Sequence, residues 1–189
     1  SGKTTFIKHY AKYLMDQGMN IGILENDFGA VNVDMLLLQE LMGDKCELEM
    51  IAGGCDRETH RRRFRTKLIA MGMCGYDRVL VEPSGVGKLS DVIRAVQGID
   101  SAEISLNSFT TVVDAKKCRM YMKNFGEFFK NQVEAAGTII LSRTDLPKAT
   151  DEKVETAISM IRELNPDATI ITTPVEQVEG KKILDTIEG

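Results

Sequence analysis

Five short stretches of this chain are almost unbroken runs of Ile, Val, Leu and Thr. They are NIGILEN (Asn20–Asn26), DRVLVE (Asp77–Glu82), FTTVVD (Phe109–Asp114), GTIILS (Gly137–Ser142) and ATIITT (Ala168–Thr173). A strand with one wet face alternates apolar and polar residues; a continuous run is what a strand needs when helices cover both faces of its sheet. The intervening stretches carry a helical period. Phe6, Ile7, Tyr10, Ala11 and Leu14 share one helical face, and Gly18 follows as a left-handed stop. A second helix is expected after Thr150 as N-cap, with Asp151 and Glu152 in its first turn. It places Val154, Ile158, Ile161 and Leu164 on one side and ends before Pro166. A short last helix is expected over roughly Gly180 to Ile187. Alternation of this kind implies right-handed βαβ units. The expectation is a single α/β domain over residues 1–189, a three-layer fold with a mostly parallel sheet flanked by helices.

Ligands of such folds collect at the C-terminal ends of the strands. Ser1-Gly2-Lys3-Thr4-Thr5 matches the end of a phosphate-binding loop, G-x-x-x-x-G-K-[S/T], with a helix following at once. That chemistry needs Gly2 for close backbone approach, N–H groups at the helix start for phosphate, and Lys3 for the β- and γ-phosphates. The Thr4 hydroxyl would serve Mg²⁺. The pattern predicts a strand and an upstream glycine ahead of Ser1 in the native protein. After the next strand, ENDFG (Glu25–Gly29) brings Glu25 and Asp27 to the rim of the site as a switch segment for Mg²⁺ or the attacking water. VLVEPSG (Val79–Gly85) closes an apolar strand with Glu82, a Mg²⁺ carboxylate, and places Gly85 to sense the γ-phosphate. Ser142-Arg143-Thr144-Asp145 has the form of the guanine motif [N/S/T]-K-x-D. Asp145 would accept from the ring N1–H and the exocyclic amine. Arg143, in place of Lys, can stack on the base. ITTPVE (Ile171–Glu176) falls where a backbone N–H completes such a pocket.

Together these segments resemble the CobW/UreG/HypB group of P-loop GTPases, and within it the CobW-like proteins, over nearly the whole chain. GKTT corresponds to the Walker A, and ENDFGAVNVD to the switch stretch ending in Asp34. AGGC (Ala52–Cys55) corresponds to the start of a cysteine metal segment, and VEPSG to the Walker B. VVDA (Val112–Ala115) and SRTD match two further family strings. The resemblance implies a P-loop NTPase fold and a GTPase using Mg²⁺, slow without a partner. It also implies a cargo of Zn, Co or Ni, a client metalloenzyme or cofactor-assembly protein, and a nucleotide-dependent homodimer. The chain departs from the family after Cys55, where Arg57 and Glu58 stand at the positions of the second and third cysteines. A P-loop small-molecule kinase and a non-hydrolysing, partner-binding scaffold are the alternative readings of the same fold.

A net charge of −4 opposes general binding to nucleic acid or anionic membrane. No apolar run reaches the ~20 residues of a membrane span. The four cysteines (Cys46, Cys55, Cys74 and Cys118) form no CxxC pair, which suits the thiols of a reducing cytoplasm. Cys55 is a transition-metal candidate with His60 and Glu58, two or three ligands where such a metal takes three or four. Cys74 and Cys118 read as packing residues, and His9 as a solvated or packed residue of the first helix. His60 to Lys67 (HRRRFRTK) is the densest basic stretch in the chain. It reads either as a solvated helix face or as a dock for an acidic client, a cofactor phosphate or carboxylate, or a partner subunit's nucleotide.

Overall fold

The computed structural model describes residues 2–26, 38–51, 57–83, 89–99, 104–124, 126–142, 151–174 and 177–188. In chain order these form α1 (Lys3–Asp16), β1 (Ile21–Asn26), a 3₁₀ turn (Gln39–Leu41), β2 (Cys46–Ile51), α2 (Arg57–Gly72), β3 (Arg78–Pro83) and α3 (Leu89–Gln97). Then follow β4 (Thr110–Asp114), α4 (Cys118–Asn124), α5 (Gly126–Glu134), β5 (Thr138–Ser142), α6 (Asp151–Leu164), β6 (Thr169–Ile171) and α7 (Gly180–Glu188). Among the described residues the four pairings between strands are all parallel. The parallel sheets and flanking helices bear out the α/β reading.

The chain divides into two compact units. One comprises Ile7–Gly87 and Asp91–Leu106 and holds a sheet of order β2-β1-β3. Register pairs Gly22 with Glu47 and with Val79, so these side chains share a face. On that face Leu24 and Ile51 pack with Phe64, Leu68 and Met71 of α2 and Ala95 of α3. Tyr76 lies across Gly22: a methyl there would stand 2.8 Å from Met71 Cε and 2.9 Å from Tyr76 Cδ2. The phenol then donates to Glu47, and burial and this bond raise its pKa. Lys67 of α2 pairs with Glu49 at 2.7 Å, pinning the helix to β2. The opposite face carries Ile21, Ile23 and Glu25, all buried.

The other unit comprises Ser1–Phe6, Lys88–Ser90 and Asn107–Gly189, with a sheet of order β4-β5-β6. Its central strand β5 is buried from Thr138 to Leu141, as its unbroken apolar run requires. Val113, Ile139 and Leu141 pack with Phe129 and Val133 of α5 and Ala157 and Ile161 of α6. Just past α6, Asn165 donates through Nδ2 to Val133 O at 2.9 Å and Ala136 O at 2.7 Å. Its Oδ1 accepts from the Ala168 N–H at 3.1 Å. One buried amide thereby fixes the entry to β5 and the entry to β6. Asn131 and Ser90 bond reciprocally, at 3.1 and 2.9 Å.

Helix α1 runs as its periodicity predicts. Phe6, Ile7, Tyr10, Ala11 and Leu14 are buried. It ends at Gly18 with φ +88, where Gly18 N–H bonds Met15 O and Met19 N–H bonds Leu14 O. That is the paired C-terminal motif a left-handed glycine permits. The strands Asn20–Asn26, Asp77–Glu82, Phe109–Asp114, Gly137–Ser142 and Ala168–Thr173 all form, with ends shifted by a residue or two. Strand β2 was not among those expected. Its CELEMI alternates acid with apolar residue because it is an edge strand with Glu47 and Met50 exposed.

Candidate functional site

The phosphate-loop residues open α1. Phe6 N–H donates to Gly2 O at 3.0 Å, which makes Gly2 the residue that caps the first turn. Its φ is +93, a conformation costly to any residue with a β-carbon. Space imposes the same choice. A methyl on Gly2 would lie 3.3 Å from Ser142 Cβ and 3.8 Å from Val112 Cγ1. Gly2 therefore rests on the end of β5, and the start of GKTT meets the start of SRTD. Thr4 is buried, Lys3 half-buried and Thr5 exposed.

Around Ser142 the strand ends are tied together. Ser142 O accepts from the Ala115 N–H at 3.1 Å, and Ser142 Oγ donates to Val113 O at 3.4 Å. Asp114, the acid that closes VVD, is buried. Its Oδ1 accepts from the Lys116 and Lys117 N–H groups at 3.0 and 3.3 Å, turning the chain into α4. Burial, aided by the nearby Asp114 charge, pushes the Cys118 thiol up to about 11. That thiol is neutral and packs as the sequence suggested, whereas Cys74, expected to pack as well, is exposed just past the end of α2.

In the unit holding β1, two carboxylates stand side by side. Glu25 and Glu82 are register partners on adjacent parallel strands, each one residue short of its strand's C-terminal end. They share a sheet face and are 2% and 5% exposed. Two like charges buried together are stable only when cations or protons offset them. Paired carboxylate oxygens are the donors a hard divalent cation takes, so the residues fit Mg²⁺. The sequence reading put Glu25 at the rim; the structure buries it beside Glu82. The signal was present, since each residue is the acid near the end of an apolar run.

His60 is buried on the same side of α2 as Phe64, Leu68 and Met71, one helical stripe. Burial, with a contribution from the Arg63 charge, lowers its pKa. Glu58 is exposed. Ser1, Asp27, Asp34, Cys55, Gly85, Arg143 and Asp145 lie outside the described residues. Among the described residues no three His, Cys, Asp or Glu side chains converge as a metal site. No described helix is long and apolar enough to cross a membrane.

Comparison with known proteins covers the same ground. The family described as CobW/HypB/UreG, nucleotide-binding domain, matches residues 1–172. The chain is 23% identical to zinc-regulated GTPase metalloprotein activator 1 of Dictyostelium discoideum. That alignment covers 98% of this chain and 46% of the relative. It is 25% identical to the zinc chaperone YjiA of Escherichia coli, over 90% of this chain and 54% of the relative. The chain thus spans about half the length of these curated relatives. The crystal structure of a Zn(II)-bound YjiA GTPase from E. coli superposes with a TM-score of 0.64 at 22% identity. It covers 99% of this chain and 57% of that one, a likeness of fold.

Proposed function

Because the chain belongs to the CobW/HypB/UreG family of nucleotide-binding domains, we propose that it binds GTP, hydrolyses it with Mg²⁺, and couples that cycle to delivery of a metal or metallocofactor. The observation that carries the reading is the seat of Gly2 on Ser142. The phosphate-loop glycine meets the first residue of the stretch read for guanine within one unit, although 140 residues separate Gly2 from Ser142.

In this reading the first N–H groups of α1 and the Lys3 ammonium bind the phosphates and neutralise their charge. Gly2 lets the backbone come close, and Ser1 and Thr5 complete the loop. The Thr4 hydroxyl and the Glu82 carboxylate would hold Mg²⁺, which supplies charge neutralisation at the phosphates when bound. Glu25 keeps the field at Glu82 negative. Asp27 orients the attacking water, and the Gly85 N–H reports the γ-phosphate. Asp145 selects guanine, while Arg143 covers the base. Hydrolysis by positioning and electrostatics alone is slow, so a partner is expected to accelerate it. The cargo would be Zn, Co or Ni, with Cys55 as its first ligand, and the client a metalloenzyme or cofactor-assembly protein; the relatives' names, a zinc chaperone and a zinc-regulated metalloprotein activator, support zinc and a metalloprotein client. A homodimer formed with nucleotide bound and a cytoplasmic setting complete the proposal.

The test is calorimetric titration of the full-length protein with GTP, GDP and ATP, with and without Mg²⁺, followed by phosphate release. Mg²⁺-dependent binding with GTP preferred over ATP by at least about tenfold is expected. Equal affinity for the two triphosphates sinks the Asp145 assignment. Phosphate transfer to a small acceptor instead of water restores the kinase reading, and absence of nucleotide binding restores the scaffold.

A further inference from the structure

The unit that holds β4, β5 and β6 contains a cleft that the nucleotide reading does not use. Its volume is about 730 Å³, and α4, α5 and α6 line it. The floor is Met122, Met160 and Leu164, half-buried side chains packed against the core of this unit. The walls carry Glu127 and Lys130 from α5 and Glu163 from α6. Glu127 and Lys130 are three apart on their helix, as are Met160 and Glu163 on theirs, so each pair lies on one helical face.

The helices that form the cleft are held in place. Phe129 and Val133 of α5 pack with Ala157 and Ile161 of α6. Asn165, just past α6, bonds Val133 O and Ala136 O at the far end of α5. Gly126 also lines the cleft, and the fold does not require a glycine there. Its φ is not left-handed, and a methyl added to it would meet nothing within 4 Å. The missing side chain leaves that much of the cleft open. Lys130 and Glu163 are exposed, and neither has an ion-pair partner among the described residues. Glu127 already interacts within the chain.

We propose that this cleft binds a short zwitterionic peptide, its carboxylate on Lys130, its ammonium on Glu163 and an apolar side chain on Met122, Met160 and Leu164. The volume falls among pockets that take organic ligands, and a largely apolar lining with a few polar groups is their usual composition. Two thioethers on the floor suit an aromatic side chain. The unpaired charges choose the head groups. A neutral apolar ligand would strip water from both charges and replace it with nothing. An anion alone would face Glu163, and a cation alone would face Lys130. The proposal stands independently of nucleotide hydrolysis.

The experiment titrates full-length protein with the dipeptide leucyl-tryptophan, read by calorimetry. Saturable binding with a dissociation constant below about 1 mM is expected. Acetylating the peptide's amine and amidating its carboxylate should each weaken binding about threefold or more. Lys130→Ala should abolish the effect of amidation, and Glu163→Ala the effect of acetylation. Gly126→Leu fills the cleft, so affinity should fall at least about tenfold while the melting temperature holds or rises. If that variant fails to fold, the two alanine variants, at exposed positions, carry the test. No saturable binding to the wild type by about 5 mM peptide overturns the proposal. So do equal affinities for the free and capped peptides, and a folded Gly126→Leu that binds as the wild type does. It is also overturned if the wild type sediments as a dimer that Gly126→Leu separates, because a second copy then fills the cleft.

Discussion

A β-carbon is the smallest change one can make at Gly2, and it tests two constraints together. The residue sits at φ +93 with Ser142 Cβ 3.3 Å from where a methyl would go. Gly2→Ala therefore costs roughly 1–2 kcal/mol in backbone strain alone and pushes the first turn of α1 off the end of β5. We expect GTP affinity to fall at least about tenfold by calorimetry, with the circular dichroism spectrum unchanged. The Glu25–Glu82 pair yields a different signature. Glu82→Gln removes one of two adjacent buried charges, so the variant should be no less stable than wild type without metal. It should lose the rise in melting temperature that Mg²⁺ gives the wild type. A destabilised Glu82→Gln that still responds to Mg²⁺ would show that this carboxylate holds structure and not cation. His60 answers to pH. Its folded pKa lies below the ordinary value of 6.5, so the unfolded chain takes up the proton first. Stability should be flat above about pH 6.5 and fall below it, with a slope of at most about 1.4 kcal/mol per pH unit. His60→Leu should flatten that part of a denaturation series run from pH 5 to pH 8. All four residues were visible as types at positions, but burial was not. Nothing in ENDFG distinguishes a rim Glu25 from a buried one until the register of β1 on β3 is known.

At the scale of elements, what could be read from the sequence follows how strongly each element's surroundings stamp its residues. The central strand β5 is covered on both faces, so it reads TIILS and cannot be mistaken. Edge strand β2 reads CELEMI, with acids at alternate positions, and no continuous run marks it. Helix α1 shows its stripe because one side is core. Helices α4 and α5 are short, and the apolar stripe that marks a longer helix is hard to see in them. The joints between elements were invisible. Asn165 looks like an ordinary residue before a proline, yet its side chain satisfies two buried carbonyls and an N–H. Asn165→Ala removes the amide from all three and leaves Val133 O only the longer bond from the Ala136 N–H at 3.4 Å; it should cost about 3 kcal/mol, read as a shifted urea midpoint with unchanged slope. Gly22→Ala meets the Tyr76 ring, which its bond to Glu47 holds in place. A loss of about 1–3 kcal/mol is expected from that overpacking.

For the whole molecule, the order of the strand-end motifs carried most of the functional reading. ENDFG, VEPSG and SRTD follow in order at the ends of β1, β3 and β5, and membership of the CobW/HypB/UreG nucleotide-binding domain family agrees with them. What stayed beyond the sequence was geometry: that Gly2 and Ser142 meet, and that two carboxylates pair. A ligand bound only by the folded chain stabilises it by about 2.7 kcal/mol at a hundredfold excess over its dissociation constant. GTP with Mg²⁺ should accordingly raise the melting temperature by several degrees, more than ATP with Mg²⁺ at the same concentration. The all-parallel pairing also bears on how the chain reaches its native state. None of the described strands pairs with its neighbour through a tight hairpin, since every parallel pair needs a crossover. β1 gains its second partner only when Ile21 meets Arg78, with β2 and α2 lying between them in sequence. Loop closure must be completed before that contact gives any return, which makes refolding slow. On a ribosome adding about 5–20 residues per second, the apolar run of β1 is out for seconds before Pro83 has been made. Holding chaperones, which keep such runs apart, should therefore raise the yield of folded protein more than they change its final stability.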